Sequence, residues 1–137
     1  MPALCLHTLI EFEGCNPDFL KRVRGVRAAM LAAVKAGSGT VVKAVFHEFS
    51  PWGVSGVVVI TESHVTIHTW PEHGYAAVDI LSCSPSLDHG VITANLRRAL
   101  EAKKVKTKAF KRGNLAASNS GGNGFEKTCK EGNLLLD

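Results

Sequence analysis

Residues 53–83 read GVSGVVVITESHVTIHTWPEHGYAAVDILSC. Valine, isoleucine, threonine and aromatic residues dominate this run, which predicts strands over 54–61, 64–70 and 75–82. The turn PEHG at 71–74 separates the last two. Three consecutive short strands imply an antiparallel sheet. They carry few charges, so a second face of that sheet is expected to be buried, and a partner sheet in a homodimer would cover it.

Outward from this centre, TVVKAVFHEF (40–49) reads as another strand, closed by the turn SPWG. ALCLHTLIEF (3–12) reads as the first strand. Asn16-Pro17-Asp18 marks a helix start, with Asn16 as the cap and Pro17 in the first turn. Phe19, Val23, Val26, Met30 and Val34 then form one apolar stripe, and Gly37 ends the helix. A second helix is predicted over 87–102, with Val91, Ile92, Leu96, Ala99 and Leu100 inward. Residues 104–110 alternate, with Lys104, Lys106 and Lys108 on one face, a pattern that protects an edge strand. The fold class is α+β: a two-layer sandwich of mostly antiparallel sheet with two helices on one face, pairing sheet-to-sheet in a homodimer. The domain is expected to span 1–113. Residues 114–137, rich in Gly, Asn and Ser, are expected to form a flexible C-terminal tail.

The chain has 137 residues, 45% of them hydrophobic and 20% charged, with formal net charge +4. This composition suits one globular domain. The basic surplus is explained by the lysine-bearing strand, so no nucleic-acid partner is expected. No apolar run is long enough to span a bilayer, and the N-terminal MPALCLHTLIEFEG lacks the basic start of a secretory signal. No membrane partner and a cytoplasmic location are expected. There, Cys5, Cys15, Cys83 and Cys129 would be free thiols. Cys5 and Cys15 read as small buried residues, Cys129 as part of the tail. No CxxC pair exists, and His47, His64, His68 and His73 are irregularly spaced, so no metal is expected.

Alternation places His64, Thr66, His68 and Trp70 on one strand face, with Ser55 on the strand before and Cys83 ending the strand after. A serine, a histidine and a thiol would converge there. Taken alone, Ser55 reads rather as a locally paired strand hydroxyl, Phe49 as a core residue and Glu72 as a solvated turn residue.

HEFSPWGVSG (47–56) and VSGVVVITESHVTIHTWPEHGYAAVDI (54–80), continued by the Cys83 region, resemble the signature of the prokaryotic S-adenosylmethionine decarboxylases. The resemblance runs from about Leu6 to Gly113. It implies a pyruvoyl-dependent proenzyme that cuts itself between Glu62 and Ser63 and turns Ser63 into a pyruvoyl group, which forms a Schiff base with the substrate amine. It implies His68 as the base that removes the Cα proton of Ser63 during processing, Ser55 as a second processing residue and Cys83 as the proton donor in turnover. Phe49 and His68 would stack on the adenine of S-adenosylmethionine, and Glu72 would hold the ribose hydroxyls. The site would lie in a homodimer of cleaved protomers. Its product would be the aminopropyl donor of spermidine and polyamine biosynthesis. A pyruvoyl-dependent arginine or ornithine decarboxylase is the alternative on the same scaffold. Departures from the family pattern include His73, Leu81-Ser82, Ser84 and the stretch PSLDHGVITANL.

Overall fold

A computed structural model describes residues 3–115 of the chain. Six strands form one sheet: β1 (Cys5–Glu13), β2 (Val41–Glu48), β3 (Val54–Ile60), β4 (Ser63–Trp70), β5 (Tyr75–Ser82) and β6 (Lys104–Arg112). Their spatial order is β2-β3-β4-β5-β1-β6, and every neighbouring pair runs antiparallel. The α+β sandwich is as expected, with helices on one face. The lysine-bearing β6 is an edge strand, and Lys106 pairs with Glu13 at 3.2 Å.

The first helix differs from its prediction. The single helix expected between Asn16 and Gly37 is two, α1 (Pro17–Lys21) and α2 (Val23–Ala36), so the helical layer has three members with α3 (His89–Leu100). Arg22 between them is extended, with φ −119° and ψ 145°. Asn16 caps α1 as expected, its Oδ1 accepting from the Asp18 and Phe19 amides. Glu48 ends the continuity: its carboxylate accepts from the Val23 amide at 2.8 Å and from Arg22 at 3.3 Å, supplying a cap to α2 from the end of β2. The helix over 87–102 is shorter than expected because Asp88 caps it, accepting from the Val91 amide at 3.0 Å.

The core lies between helices and sheet. Val26, Met30 and Val34 of α2 and Ile92, Leu96 and Leu100 of α3 pack against Ile10, Phe12, Val58, Val65, Ile67, Val78 and Ile80. The opposite sheet face carries Leu9, Val45, Val57, Val59 and Leu81 among polar residues, and Val45 and Val59 are 51% and 38% exposed. Among the described residues, no helix is long and apolar enough to cross a membrane. Most of the segment read as a tail, residues 116–137, and with it Cys129, lies outside the described residues.

Candidate active site

The strand β4 opens at Ser63, directly opposite Ser82 on β5. Ser63 has φ 150°, a backbone conformation that non-glycine residues rarely adopt and that costs roughly 1–3 kcal/mol. The preceding carbonyl, that of Glu62, accepts two hydrogen bonds from one residue. The Cys83 amide donates at 3.0 Å and the Cys83 thiol at 3.3 Å. The Glu62 side chain turns elsewhere: Oε1 accepts from the Thr40 amide at 3.0 Å and Oε2 from the Thr61 hydroxyl at 2.9 Å. Those bonds, the Thr40 amide foremost, hold the Glu62 carboxyl below its ordinary range. Thus a serine, a polarised peptide carbonyl and an exposed thiol meet at the junction of β4 and β5.

A second cluster forms at the far end of the same strands. Ser55 on β3 faces His68 on β4, with Oγ 2.8 Å from Nδ1. When Nδ1 carries the hydrogen and donates it to Ser55, Nε2 is left as the basic nitrogen. His47 lies across from Ser55 on β2, and its ring meets Phe49 edge-on at 4.6 Å. Trp70 lies 6.5 Å from His68 and 5.3 Å from Tyr75. Phe49 and Trp70 are exposed, as is Glu72 in the 3-10 turn Pro71–His73. Aromatic rings and an imidazole thus cluster at this end of the sheet, and Glu72 lies in the turn that follows Trp70. Phe49 is no core residue.

The convergence expected from alternation is therefore only partial. Ser55 and His68 meet, but Cys83 and Ser63 do not join them within one protomer. His68 and Ser63 are five strand residues apart, roughly 16 Å along β4.

Between the two clusters lies a polar group that sequence reading left out. The Asp79 carboxylate accepts from His7 Nε2 at 2.6 Å, from His64 Nε2 at 3.1 Å and from the Thr66 hydroxyl. Burial raises its pKa, but His7, Thr66 and His64 outweigh burial and hold it at about 2. The one available signal was that Asp79 is the sole charged residue in YAAVDILS. The three ligand-type atoms lie within 4.8 Å of one another. Arg112 donates to His7 Nδ1 at 3.3 Å, which leaves the hydrogen of a neutral ring on Nε2, pointing at Asp79. A cation bound there would have to displace that hydrogen and would sit near the guanidinium. The geometry is that of a hydrogen-bonded network. Of the other thiols, Cys15 is buried as expected, and burial pushes it up to about 11; Cys5 is half-buried.

The family model described as S-adenosylmethionine decarboxylase matches residues 6–113. The S-adenosylmethionine decarboxylase proenzyme of Thermodesulfovibrio yellowstonii is 43% identical over 119 residues, which cover 87% of this chain and 88% of the relative. That of Thermotoga maritima is 43% identical over 113 residues, 82% of this chain and 87% of the relative. The crystal structure of the adenosylmethionine decarboxylase from Aquifex aeolicus superposes with a TM-score of 0.77 at 34% identity, covering 84% of this chain and 95% of that one.

Proposed function

The chain belongs to the S-adenosylmethionine decarboxylase family, and from that premise we propose that it is a proenzyme that cuts itself at Glu62–Ser63 and then decarboxylates S-adenosylmethionine, feeding polyamine synthesis. The observation that carries the reading is the Glu62 carbonyl, held by the Cys83 amide and thiol next to a serine at φ 150°. These residues fit the formation of a pyruvoyl group.

The Ser63 hydroxyl adds to the Glu62 carbonyl carbon. The oxygen that gains charge is the one the Cys83 amide already contacts, so the donor is in place before the barrier. The C–N bond breaks, the nitrogen takes the proton, and the peptide becomes an ester. A base then removes the Cα proton of Ser63, the Cβ–Oγ bond breaks, and the Glu62 carboxylate leaves. Addition of water and loss of ammonia complete the pyruvoyl terminus. When formed, the pyruvoyl group supplies the electron sink for loss of carbon dioxide.

His68 is the base in this reading, oriented by Ser55. Since roughly 16 Å of strand separates it from Ser63 in one protomer, the working base is His68 of the partner subunit. A homodimer stacking the open sheet faces would bring the two ends together, and the exposed Val45 and Val59 support that face as the contact. Phe49 would stack on adenine and Glu72 would accept from the ribose hydroxyls. Cys83 would deliver the proton that replaces carbon dioxide. A cytoplasmic setting, which keeps thiols reduced, suits that role. The domain in this reading is 1–113.

Intact-mass spectrometry of the purified protein tests it. Self-cleavage gives a 62-residue chain and a pyruvoyl-blocked 75-residue chain from the 137 residues. The variant Ser63→Ala, with no hydroxyl, remains whole. Cleavage of that variant at the same bond would sink the mechanism.

A further inference from the structure

His89 opens α3, immediately after the segment 83–88 that carries Cys83. Its ring makes two short hydrogen bonds to two other elements. Nε2 lies 2.7 Å from the Ser82 hydroxyl on β5, and Nδ1 lies 2.7 Å from the Thr8 hydroxyl on β1. Ser82 and Thr8 are 3% and 7% exposed. Both hydroxyls are largely shielded from solvent, and this ring is the hydrogen-bond partner the structure gives each of them. A neutral imidazole donates at one nitrogen and accepts at the other, and each hydroxyl rotates to match. Burial lowers the pKa of His89, which favours that neutral form.

The position of this ring matters because of what Ser82 holds. Ser82 is the cross-strand partner of Ser63 and the residue before Cys83. The Ser82–His89 bond therefore closes the neck of the segment whose first residue clamps the Glu62 carbonyl. Beside the neck lies a cavity of about 600 Å³, lined in part by Cys5, Cys83, Leu87, His89 and Lys111. The far end of the segment is anchored separately, by Leu87 in the core and by the Asp88 amide donating to the Gly37 carbonyl at 2.9 Å, so the Ser82–His89 bond acts at the Cys83 end. Between those two anchors the turn makes local bonds, Ser84 with Ser86 and the Leu87 amide to the Ser84 carbonyl.

We propose that His89 is a positioning residue: by holding Ser82, it fixes the Cys83 amide and thiol against the Glu62 carbonyl during self-cleavage, and aims the same thiol during turnover. The inference rests on the reading of Cys83 given above and extends it to a side chain that touches neither the scissile bond nor the substrate.

Two amide substitutions separate positioning from mere support. The side-chain nitrogen of glutamine reaches the place of Nε2, next to Ser82; that of asparagine reaches only the place of Nδ1, next to Thr8. His89→Gln should process and turn over within about twofold of wild type. His89→Asn and His89→Ala should slow self-cleavage roughly five- to 150-fold, the range for a buried hydroxyl left without its partner. They should also lower kcat with KM unchanged, and should leave alanine on residue 63 in a larger share of turnovers, because a misplaced thiol delivers its proton to the wrong carbon. Mass spectrometry of the 75-residue chain reads that share directly. Equal rates and equal alanine shares in the Gln and Asn variants, with wild-type cleavage intact, would overturn the role of His89 even if the Ala variant fails to fold. Absence of cleavage in the wild type would count instead against the reading of the site itself.

Discussion

Mixing two inactive variants tests the division of the site between subunits. Ser63→Ala lacks the hydroxyl that attacks Glu62, and His68→Ala lacks the base that completes elimination. Within one protomer the two residues are separated by roughly 16 Å of β4, too far for proton transfer. Co-expression of the two variants with different affinity tags yields three dimers. Each homodimer is dead at both sites. In the mixed dimer, one site combines both lesions, and the other combines an intact Ser63 with an intact His68 of the partner subunit. With equal expression and random pairing, half the dimers are mixed and each has one of two sites intact. Cleavage and decarboxylation should then recover to about one quarter of wild type, and to about one half in dimers purified through both tags. The cut chain in those dimers should carry the His68→Ala change, since that protomer owns the intact Ser63. A site built within one protomer gives no recovery in any dimer. Zero activity in doubly purified mixed dimers would therefore refute the shared site while leaving the chemistry at Glu62–Ser63 standing.

Glu72→Ala should lower kcat/KM for S-adenosylmethionine by about ten- to a hundredfold, as loss of charge-assisted bonds to ribose predicts, with self-cleavage nearly unchanged. Phe49→Ala should show the same separation, and equal damage to cleavage and turnover would contradict a substrate role for either. Cys83→Ala keeps the amide on the Glu62 carbonyl but loses the thiol. It should cleave slowly and then inactivate within a few turnovers as alanine accumulates on residue 63; a wild-type lifetime would contradict the proton-donor assignment. Asp79, held at about 2 in the fold against an ordinary 3.8, stabilises the protein above pH ~4 and loses that contribution as pH falls through about 2. The shift corresponds to about 2 kcal/mol. In urea unfolding, the stability of Ser63→Ala protein at fixed concentration should therefore fall more between about pH 5 and about pH 2 than that of the same protein carrying Asp79→Asn; parallel curves would refute it.

The strands were legible because alternation and β-branched residues agree along the whole of 54–82, and because each strand pairs with its neighbour in sequence through a short turn. What escaped was long-range. The break at Arg22 has no local breaker residue; it follows from Glu48 reaching the Val23 amide, 25 positions away. Asp79 looked like one polar residue on a strand because its partners His7 and Thr66 lie on β1 and β4. The thiol clamp on Glu62 was hidden for the same reason: Cys83 follows it by 21 residues and meets it only through the β4–β5 register. Alternation correctly paired Ser55 with His68, but it carries no information about distance along a strand, so it drew Cys83 into a cluster that one protomer does not form.

Magnitudes decide which feature of the Glu62–Ser63 junction matters most. The backbone of Ser63 at φ 150° stores roughly 1–3 kcal/mol, and release of all of it in the transition state would quicken the acyl shift by about five- to 150-fold. Holding the hydroxyl and the carbonyl in a reactive geometry is worth up to roughly 7–11 kcal/mol. A preorganised donor on the developing oxyanion adds on the order of 3 kcal/mol. Placement therefore outweighs strain. The placement is set by the pairing of Ser63 with Ser82, which brings the Cys83 amide under the Glu62 carbonyl, and by the bonds that pin the Glu62 side chain to Thr40 and Thr61. On this account, a substitution that loosens the end of β5 should slow cleavage more than one that merely relaxes the backbone at residue 63. The serine is unusual in its conformation, but it is the neighbouring strand that makes its conformation useful.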